Sequence, residues 1–246
     1  MKILGVKLDG FNLDQVLERV ENAIAARIPN QIATINPEFI LEAQKNKEFR
    51  QAINNAELKI ADGFGLKLAA FFLRLPQPPI VTGTDLTDTL ARVASKKGWR
   101  LYLLGGGELK TAQPAARALK HKYPDLKIVG AESGPMIKIG DIEPKKQDFL
   151  VKKIRARKPD ILLVALGAPK QDLFIYKLKK ELGVPIMMGV GGAFDFISGK
   201  VKRAPKLMRN LGIEWLWRLF AQPWRANRIF KATIIFPIKV VFSRFK

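Results

Sequence analysis

Residues 187–205 read MMGVGGAFDFISGKVKRAP, and the expected fold follows from this stretch. An apolar run over residues 184–188 predicts a buried strand, which ends at a group of glycines. Glycine permits positive φ and a close approach of the backbone to a ligand. Cations follow the glycines and suit an anionic ligand such as a diphosphate; they are Lys200, Lys202 and Arg203. Ordinary turn chemistry and a solvated basic face are the plain alternatives.

Two earlier segments repeat the order of strand, glycine loop and helix. Residues 100–104 precede Gly105, and residues 159–166 precede Gly167. This order predicts an α/β domain with a mostly parallel sheet, in which successive strand ends share one edge. Backbone amides and helix N-termini at such an edge favour phosphate. The glycines expected to contact a ligand are Gly105, Gly167, Gly191 and Gly192.

Polar residues follow two strands predicted nearer the N-terminus. Thr34 and Asn36 stand at the end of a strand over residues 31–35, beside a predicted helix N-terminus. Asp62 comes directly after a strand over residues 58–61, where a carboxylate can act as a general base in a cleft. The alternatives are helix capping by Asn36 and a simple Asp-Gly turn.

Charge divides the chain into two parts. The 246 residues have a formal net charge of +21, from 43 basic and 22 acidic residues. This charge implies an anionic partner, which could be nucleic acid, an acidic membrane face or a phosphorylated ligand. Residues 200–246 contain 12 Lys and Arg against the single acid Glu214, a net charge of +11. We therefore predict a catalytic α/β domain over residues 1–199 and a basic C-terminal appendage over residues 200–246.

The C-terminal appendage has the composition of a segment that lies in a membrane interface. It combines tryptophan, isolated cations and short apolar runs. Its last apolar run is much shorter than the ~20 residues of a spanning helix. A C-terminal helix packed on the core is the alternative. Spacings of seven and three residues put Arg218, Arg225 and Arg228 on one helical face, provided that Pro223 only kinks the helix.

The residue types that are missing exclude several chemistries. The chain has no Cys and a single His, which excludes thiolate catalysis and a Cys/His zinc site. A Ser/His/Asp hydrolase would have to use His121, which is predicted at the exposed end of a basic helix. Residues 1–10 lack the long apolar core of a signal peptide, so we expect a cytoplasmic protein.

Common nucleotide-binding motifs are absent or incomplete. The Gly199-Lys200 pair lacks the following Ser or Thr and the earlier glycine of a P-loop. Gly105 and Gly107 fit a dinucleotide fingerprint whose third glycine is replaced by Lys110, with Glu132 at a plausible distance for a ribose contact. Nicotinamide binding therefore remains an alternative hypothesis. No Asp-x-Asp occurs, so metal-bridged diphosphate binding has no obvious ligands and we expect no metal.

Six spaced segments carry a resemblance to a known family. They are TINPE at 34–38, ADGFG at 61–65, VTGTDL at 81–86, GAPKQD at 167–172, GVGGAFDF at 189–196 with KRAP at 202–205, and GIEWLWRL at 212–219. In this order they are similar to the WecG/TagA/CpsF glycosyltransferases, glycosyltransferase family 26. The resemblance implies a Rossmann-like fold of the GT-E type, a mostly parallel sheet sandwiched by helices. It also implies metal-independent, inverting transfer of N-acetylmannosamine or a related hexose derivative from a UDP-sugar. The implied acceptor is a polyprenyl-diphosphate-linked sugar on the inner membrane face, in polysaccharide or teichoic acid synthesis.

The same resemblance implies roles for individual residues. Asp62 matches the general base, and the pocket-lining polar residues match Thr34, Asn36 and Gln171. The arginines that close over the site and grip the diphosphate match Arg218, Arg225 and Arg228. Self-association is a further expectation by likeness. Two positions depart from the family pattern: Ile80 replaces an arginine before Val-Thr-Gly, and Asp172 replaces a glutamate.

The sequence thus predicts a sugar transferase in which Asp62 removes a proton from an acceptor hydroxyl. Loop amides, Arg218, Arg225 and Arg228 would stabilise the charge on the leaving UDP. Arg203 is a further residue predicted to bind the substrate. A nucleic-acid-binding protein would explain the net charge but not the glycine loops or Asp62. A nicotinamide-dependent oxidoreductase is the third and weakest hypothesis.

Overall fold

The computed structural model describes residues 1–106, 111–134 and 144–244. Strands in these residues are β1 (Lys2–Ile3), β2 (Val6–Lys7), β3 (Asn30–Ile35), β4 (Leu58–Ala61), β5 (Arg100–Gly106), β6 (Lys127–Gly134), β7 (Ile161–Ala165) and β8 (Ile186–Gly189). The strands from β3 to β8 form one six-stranded sheet in the order β4-β3-β8-β7-β5-β6. Every neighbouring pair in this sheet is parallel, as the alternation of strands and helices predicts.

The helices of the α/β body connect these strands. They are α1 (Leu13–Ala26), α2 (Pro37–Ala43), α3 (Lys47–Asn54), α4 (Gly65–Phe72), α5 (Gly83–Lys97), α6 (Ala112–Lys122), α7 (Pro144–Ala156), α8 (Lys170–Leu182) and α9 (Ala193–Ile197). The C-terminal appendage contains α10 (Lys206–Asn210), α11 (Glu214–Ala221), α12 (Ala226–Phe230) and α13 (Phe236–Ser243). A 3₁₀ turn over Pro223–Arg225 precedes α12, and a π-helical turn over Lys231–Ile235 joins α12 to α13.

Helices cover both faces of the sheet, because alternate strand residues point to opposite sides. In β5, Leu101 and Leu103 pack in a core with α1, α5, α6 and α9, whereas Tyr102 and Leu104 pack with α7 and α8. A third cluster joins β3 and β4 to α2, α3 and α4. Strands buried on both faces read as continuous apolar runs, which is why the sequence revealed them.

Two predicted elements are wrong in detail. The sequence predicts a single short strand from Ile3 to Leu8, but the structure has a β1–β2 hairpin there. Leu4 and Gly5 have φ of 46° and 82°, as tight hairpin turns require. The sequence also predicts one helix from Pro37 to about Ile53, whereas the structure has two, α2 and α3. The first ends at Ala43, and Asn46 caps the second by accepting a hydrogen bond from Phe49 N at 2.9 Å.

The structure describes only part of the glycine loop predicted after β5 and of the loop that the sequence predicts over residues 131–140. β5 extends to Gly106, and residues 107–110 lie outside the described residues. β6 continues to Gly134 and replaces the first part of the other loop, while residues 135–143 also lie outside them.

The C-terminal appendage packs partly on the α/β body. Phe236 and Val240 of α13 are fully buried in the cluster that contains α2, α3 and α4. The alternative of a C-terminal helix packed on the core is therefore correct for this face of α13. Pro237 lies in the first turn of α13, directly after the π-helical turn, so the chain bends without ending. No helix in the described residues has both the length and the apolar character needed to cross a bilayer.

The break before Pro223 corrects the expected helical face of the arginines. Gln222 is extended, with φ of −141° and ψ of 70°, as expected for a residue that precedes proline. Helix α11 therefore ends at Ala221, and Arg218 and Arg225 do not lie on one continuous helix.

Candidate active site

The parallel sheet brings the predicted polar residues and glycines to one edge. Asp62 directly follows β4, and its amide donates to Ile35 O of β3 at 2.7 Å. Thr34 lies one residue before the end of β3, paired in register with Ile60. The glycine loops after β7 and β8 start from the same edge, since these strands run parallel to β3. Ligands of open α/β sheets bind outside this edge.

Asp62 lies against the first turn of α5. Gly83 N donates to Asp62 Oδ2 at 3.3 Å, so the positive end of the α5 dipole faces the carboxylate. A Cβ atom at Gly83 would lie 3.3 Å from Thr34 Oγ1 and 3.6 Å from Asp62 Oδ2. The absence of a side chain at Gly83 thus lets Thr34 and Asp62 lie together at the helix N-terminus.

Burial raises the pKa of Asp62 to about 6, although Arg218 and the Gly83 amide act in the opposite direction. Asp62 nevertheless keeps partial solvent access. A carboxyl group with this pKa is largely ionised at neutral pH and is a stronger base than an ordinary aspartate. These are the properties of a general base.

Gln171 joins two of the predicted glycine loops. Its side chain is buried, and Oε1 accepts a hydrogen bond from Gly191 N at 3.0 Å. Its backbone amide donates to Gly167 O, also at 3.0 Å. Gly167 and Gly191 have φ of +75° and +52°, a region that favours glycine. Gln171 therefore holds the loops after β7 and β8 in a fixed arrangement.

Arg225 reaches Gly192, the second glycine of the loop after β8. A Cβ atom at Gly192 would lie 3.4 Å from Arg225 Nη2 and 3.6 Å from Asp195 Oδ2. Burial lowers the pKa of Arg225, and so do the guanidinium groups of Arg228 and Arg218. The three arginines therefore lie close together even though the helix is broken. Positive charges held together in a partly buried place favour an anionic ligand.

The other two arginines of this group have carboxylate partners. Arg218 Nη2 lies 2.6 Å from Glu214 Oε1, and its guanidinium lies 5.0 Å from the centre of the Phe196 ring. Arg228 Nη2 lies 2.6 Å from Glu38 Oε2 of α2. In the described part of the chain, Arg225 forms no such ion pair.

Three predicted ligand residues have structural partners. Arg203 Nη1 and Nη2 lie 2.6 and 2.8 Å from the two oxygens of Asp85, so this guanidinium is already engaged. Asn36 caps α2, with Oδ1 accepting from Phe39 N at 3.0 Å. Gly105 is buried, and a Cβ atom there would lie 2.9 Å from Ala112 Cβ and 3.1 Å from the Phe194 ring. Gly105 therefore serves packing, and the plain capping interpretation of Asn36 holds for its oxygen.

Sequence reasoning missed three contacts around Asp62. Gly83 N donates to Asp62. The sequence predicts only a helix cap in this segment, by Thr84 or Asp85, whereas the residue that caps α5 is Thr82. The negative charge of Glu214 contributes to raising the pKa of Asp62. A Cβ atom at Gly212 would lie 2.5 Å from Phe64 Cγ, so the C-terminal appendage packs on the loop that follows Asp62. Only the Thr82 cap has a sequence signal, because the other contacts join distant parts of the chain.

The described residues give little support to a hydrolase with a catalytic histidine, to nicotinamide binding or to a metal site. His121 is exposed near the end of α6, as predicted. Glu132 accepts a hydrogen bond from Tyr102 Oη at 2.7 Å and lies 2.8 Å from Lys153 Nζ, so it is not available to a ribose. Gly107 and Lys110 of the incomplete dinucleotide fingerprint lie outside the described residues. Among residues 1–106, 111–134 and 144–244, no cluster of three His, Asp or Glu side chains is arranged to hold a metal.

A comparison with protein families agrees with this geometry. The model of the family described as "Glycosyl transferase WecG/TagA/CpsF family" matches residues 1–246, the whole of the sequence. The match includes both the Asp62 edge of the sheet and the arginines of the C-terminal appendage. The chain therefore belongs to the WecG/TagA/CpsF family and is a glycosyltransferase of cell-surface polymer synthesis.

Proposed function

We propose that this enzyme transfers a hexose derivative, such as N-acetylmannosamine, from a UDP-sugar to a sugar linked to polyprenyl diphosphate. The transfer proceeds with inversion and without a metal. The observation that carries the proposal is the position of Asp62, on the same sheet edge as the Gly191–Gly192 loop where Arg225 lies. A base and a cluster of guanidinium groups are what transfer from a nucleotide diphosphate requires.

In the proposed reaction, Asp62 accepts the proton of an acceptor hydroxyl as that oxygen attacks the anomeric carbon of the donor. The new glycosidic bond forms while the bond from the anomeric carbon to UDP breaks. Ionised Asp62 is the active form, and a pKa of about 6 makes it both ionised and basic near neutral pH. Thr34 is buried beside the carboxyl group and Gly83, at the base of the proposed cleft.

Negative charge grows on the diphosphate as UDP leaves, and Arg225 is the residue best supported to stabilise it. It lies beside Gly192, and its pKa is lowered by two neighbouring guanidinium groups. Arg218 adds positive charge close to Asp62. The amides of Gly167 and Gly192 contribute donors that need no reorganisation, whereas the Gly191 amide already donates to Gln171. Removing one such contact typically costs about 10²–10³ in rate.

The proposal includes the inner face of the cell membrane as the place of reaction. Exposed aromatic side chains of the C-terminal appendage support this, since Phe220 is 76% and Trp224 is 74% exposed. The surplus of Lys and Arg in residues 200–246 would attract anionic lipids. Self-association of the enzyme belongs to the same proposal.

Substitution of Asp62 by Asn tests the assignment of the base. The variant should lose about 10²–10⁴ in kcat for sugar transfer, because general-base assistance is lost while the shape of the side chain is kept. UDP should still raise the thermal stability of the variant, because ligand binding to the folded state stabilises it. Asp14→Asn on exposed α1 is the matched control and should keep the wild-type rate. A wild-type rate for Asp62→Asn would show that Asp62 is only a turn residue.

A further inference from the structure

A cavity of about 290 Å³ lies next to the proposed catalytic cleft and has no role in the mechanism above. Its walls come from α2 with the following Lys45, from Ala168-Pro169 after β7, and from one face of the chain between Arg228 and Lys239. We call this cavity the α2 pocket. Its volume is close to that of the smaller ligand sites of proteins.

The α2 pocket adjoins the Asp62 loop through the start of α2. A Cβ atom at Gly65 would lie 2.9 Å from Pro37 Cγ, so the loop after Asp62 packs on the first residue of α2. The next residue, Glu38, is part of the pocket lining and pairs with Arg228. Arg228 is in turn close enough to Arg225 to lower its pKa. The pocket is therefore a neighbour of the proposed donor site, separated from it by the Glu38–Arg228 pair.

Positive charge exceeds negative charge in the lining of the α2 pocket. Arg228 is matched by Glu38, and Glu42 supplies one further carboxylate. Three further cations line the pocket, namely Lys45, Lys231 and Lys239. None of them forms an ion pair within residues 1–106, 111–134 and 144–244. Ammonium groups bring rotatable donors and bind phosphate as point charges. The excess charge favours an anion.

The same pocket also has an apolar wall, which a free anion would not use. Phe39, Leu41, Pro169 and Ile235 contribute to the lining. The helical turns that supply Lys231 and Lys239 also carry Ile234 and Ile238, which are 46% and 47% exposed. An aliphatic chain attached to an anionic head could therefore run from the pocket along this exposed apolar surface. Cations beside apolar walls match an amphiphilic ligand that has an anionic head group and an aliphatic chain.

We propose that the α2 pocket binds the phosphate head group of an aliphatic amphiphile, with Lys231 and Lys239 contacting the phosphate. This site is distinct from the proposed nucleotide site and does not depend on the role of Asp62. A membrane phospholipid and a lipid-linked acceptor are two sources of the same chemistry. Occupation of the pocket would hold the C-terminal appendage against α2 while the transfer takes place.

Calorimetric titration with soluble probes tests the proposal on the full chain. Decyl phosphate, below the concentration at which it forms micelles, should bind once and saturably, whereas inorganic phosphate should bind at least tenfold more weakly. Lys231→Gln combined with Lys239→Gln should weaken decyl phosphate binding tenfold or more. Lys96→Gln combined with Lys180→Gln removes two exposed cations elsewhere on the body and should leave it unchanged.

Titration with UDP distinguishes binding at the α2 pocket from binding at the proposed nucleotide site. The Lys231/Lys239 double variant should bind UDP as the wild type does, and UDP should not displace decyl phosphate. Unchanged decyl phosphate affinity in that variant, displacement by UDP, or equal affinity for inorganic phosphate would each overturn the proposal. Farnesyl diphosphate and a short-chain phosphatidylglycerol then separate the two sources. The probe that binds more tightly through these lysines identifies the source, and failure of both to bind would also overturn the proposal.

Discussion

At Asp62 several effects act on one carboxyl group. Burial raises its pKa to about 6, whereas Arg218 and the Gly83 amide favour the ionised form. The balance leaves a carboxyl group that is ionised near neutral pH and becomes protonated in mild acid. A plain Asp-Gly turn on the surface would keep the ordinary value near 3.9.

The first residue-scale prediction concerns the hydrogen bond from Gly83. The acid limb of the pH profile of kcat/KM should have its midpoint near pH 6 in the wild type, because Asp62 must be ionised. Gly83→Pro removes the amide donor at the first helical position, where proline is well tolerated. Its acid limb should move up by as much as about one pH unit, because a hydrogen bond to the charged form is lost.

Gly83→Ala is the matched control for this substitution. It adds a Cβ atom beside Thr34 and Asp62 but keeps the amide donor. Its acid limb should stay near pH 6 even if kcat falls. Equal profiles for the proline and alanine variants would show that the Gly83 amide does not tune Asp62.

Asp172 is a second buried acid, and it has no part in the proposed reaction. Its side chain is 1% exposed, and neither carboxyl oxygen has a hydrogen-bond partner among the described residues. Burial raises its pKa to about 7 from the ordinary 3.8. The folded state therefore holds a proton that the unfolded state releases between about pH 4 and pH 7, so stability falls as pH rises through this range.

Asp172→Asn should remove this part of the pH dependence. The variant should become more stable than the wild type as pH rises from 4 to 8, by up to about 4 kcal/mol in the free energy of unfolding. Urea unfolding at several pH values measures the difference. Asp14→Asn, at an exposed position, should give a curve parallel to the wild type. A parallel curve for Asp172→Asn would contradict the raised pKa.

At the scale of elements, the start of α5 is tied to the first part of the C-terminal appendage. Asp85 in the first turn of α5 receives two hydrogen bonds from Arg203, and Thr82 Oγ1 donates to it at 2.6 Å. Burial alone would raise the pKa of Asp85, but these hydrogen bonds hold it below the ordinary value. The pair thus fixes the helix N-terminus that faces Asp62.

A double-mutant cycle on Asp85→Asn and Arg203→Gln should give a coupling energy of about 1–2 kcal/mol. This exceeds the ~0–1 kcal/mol of ordinary exposed ion pairs because the contact is bidentate and Arg203 is half-buried. The control cycle uses Glu21→Gln and Lys97→Gln, whose side chains are 42% and 52% exposed at 3.1 Å. Similar coupling in both cycles would show that the Arg203 contact is an ordinary surface pair.

At the scale of the whole molecule, the C-terminal appendage both completes the core and offers an exposed apolar surface. Phe236 and Val240 are fully buried, so removing residues 200–246 would open the core as well as remove the arginines. Helix α4 packs beside α13 and exposes Phe71, while α13 exposes Phe242. The apolar surface proposed to meet the membrane therefore comes from both the α/β body and the appendage.

Phe71→Ser combined with Phe242→Ser tests this surface without opening the core. These side chains are 66% and 68% exposed, so thermal stability should be nearly unchanged. Binding to phosphatidylglycerol vesicles, measured by sedimentation, should weaken tenfold or more because two aromatic side chains no longer enter the interface. The control Ile28→Ser with Phe149→Ser changes residues that are 58% and 69% exposed and should bind normally. Equal binding by both variants would remove Phe71 and Phe242 from the membrane surface.

The sequence by itself determined the fold class and the sheet edge at which the proposed site lies. Buried parallel strands appear as apolar runs, and glycine or Asp62 at their ends marks the edge, because this information is local. The resemblance added the family and the reaction class, and the family match confirms both. That match also excludes the nicotinamide oxidoreductase and nucleic-acid-binding protein as the identity of the chain.

Only the tertiary structure decided which groups are free to act. Arg203 was predicted to contact the ligand, but its guanidinium donates to Asp85. Gly105 was also predicted to contact the ligand, but it packs against Phe194. No sequence pattern marked Gly83 as part of the site, yet its amide donates to Asp62, which lies 21 residues earlier in the chain. Such partners are set by the packing of distant segments, whereas sequence patterns report mainly on neighbours along the chain.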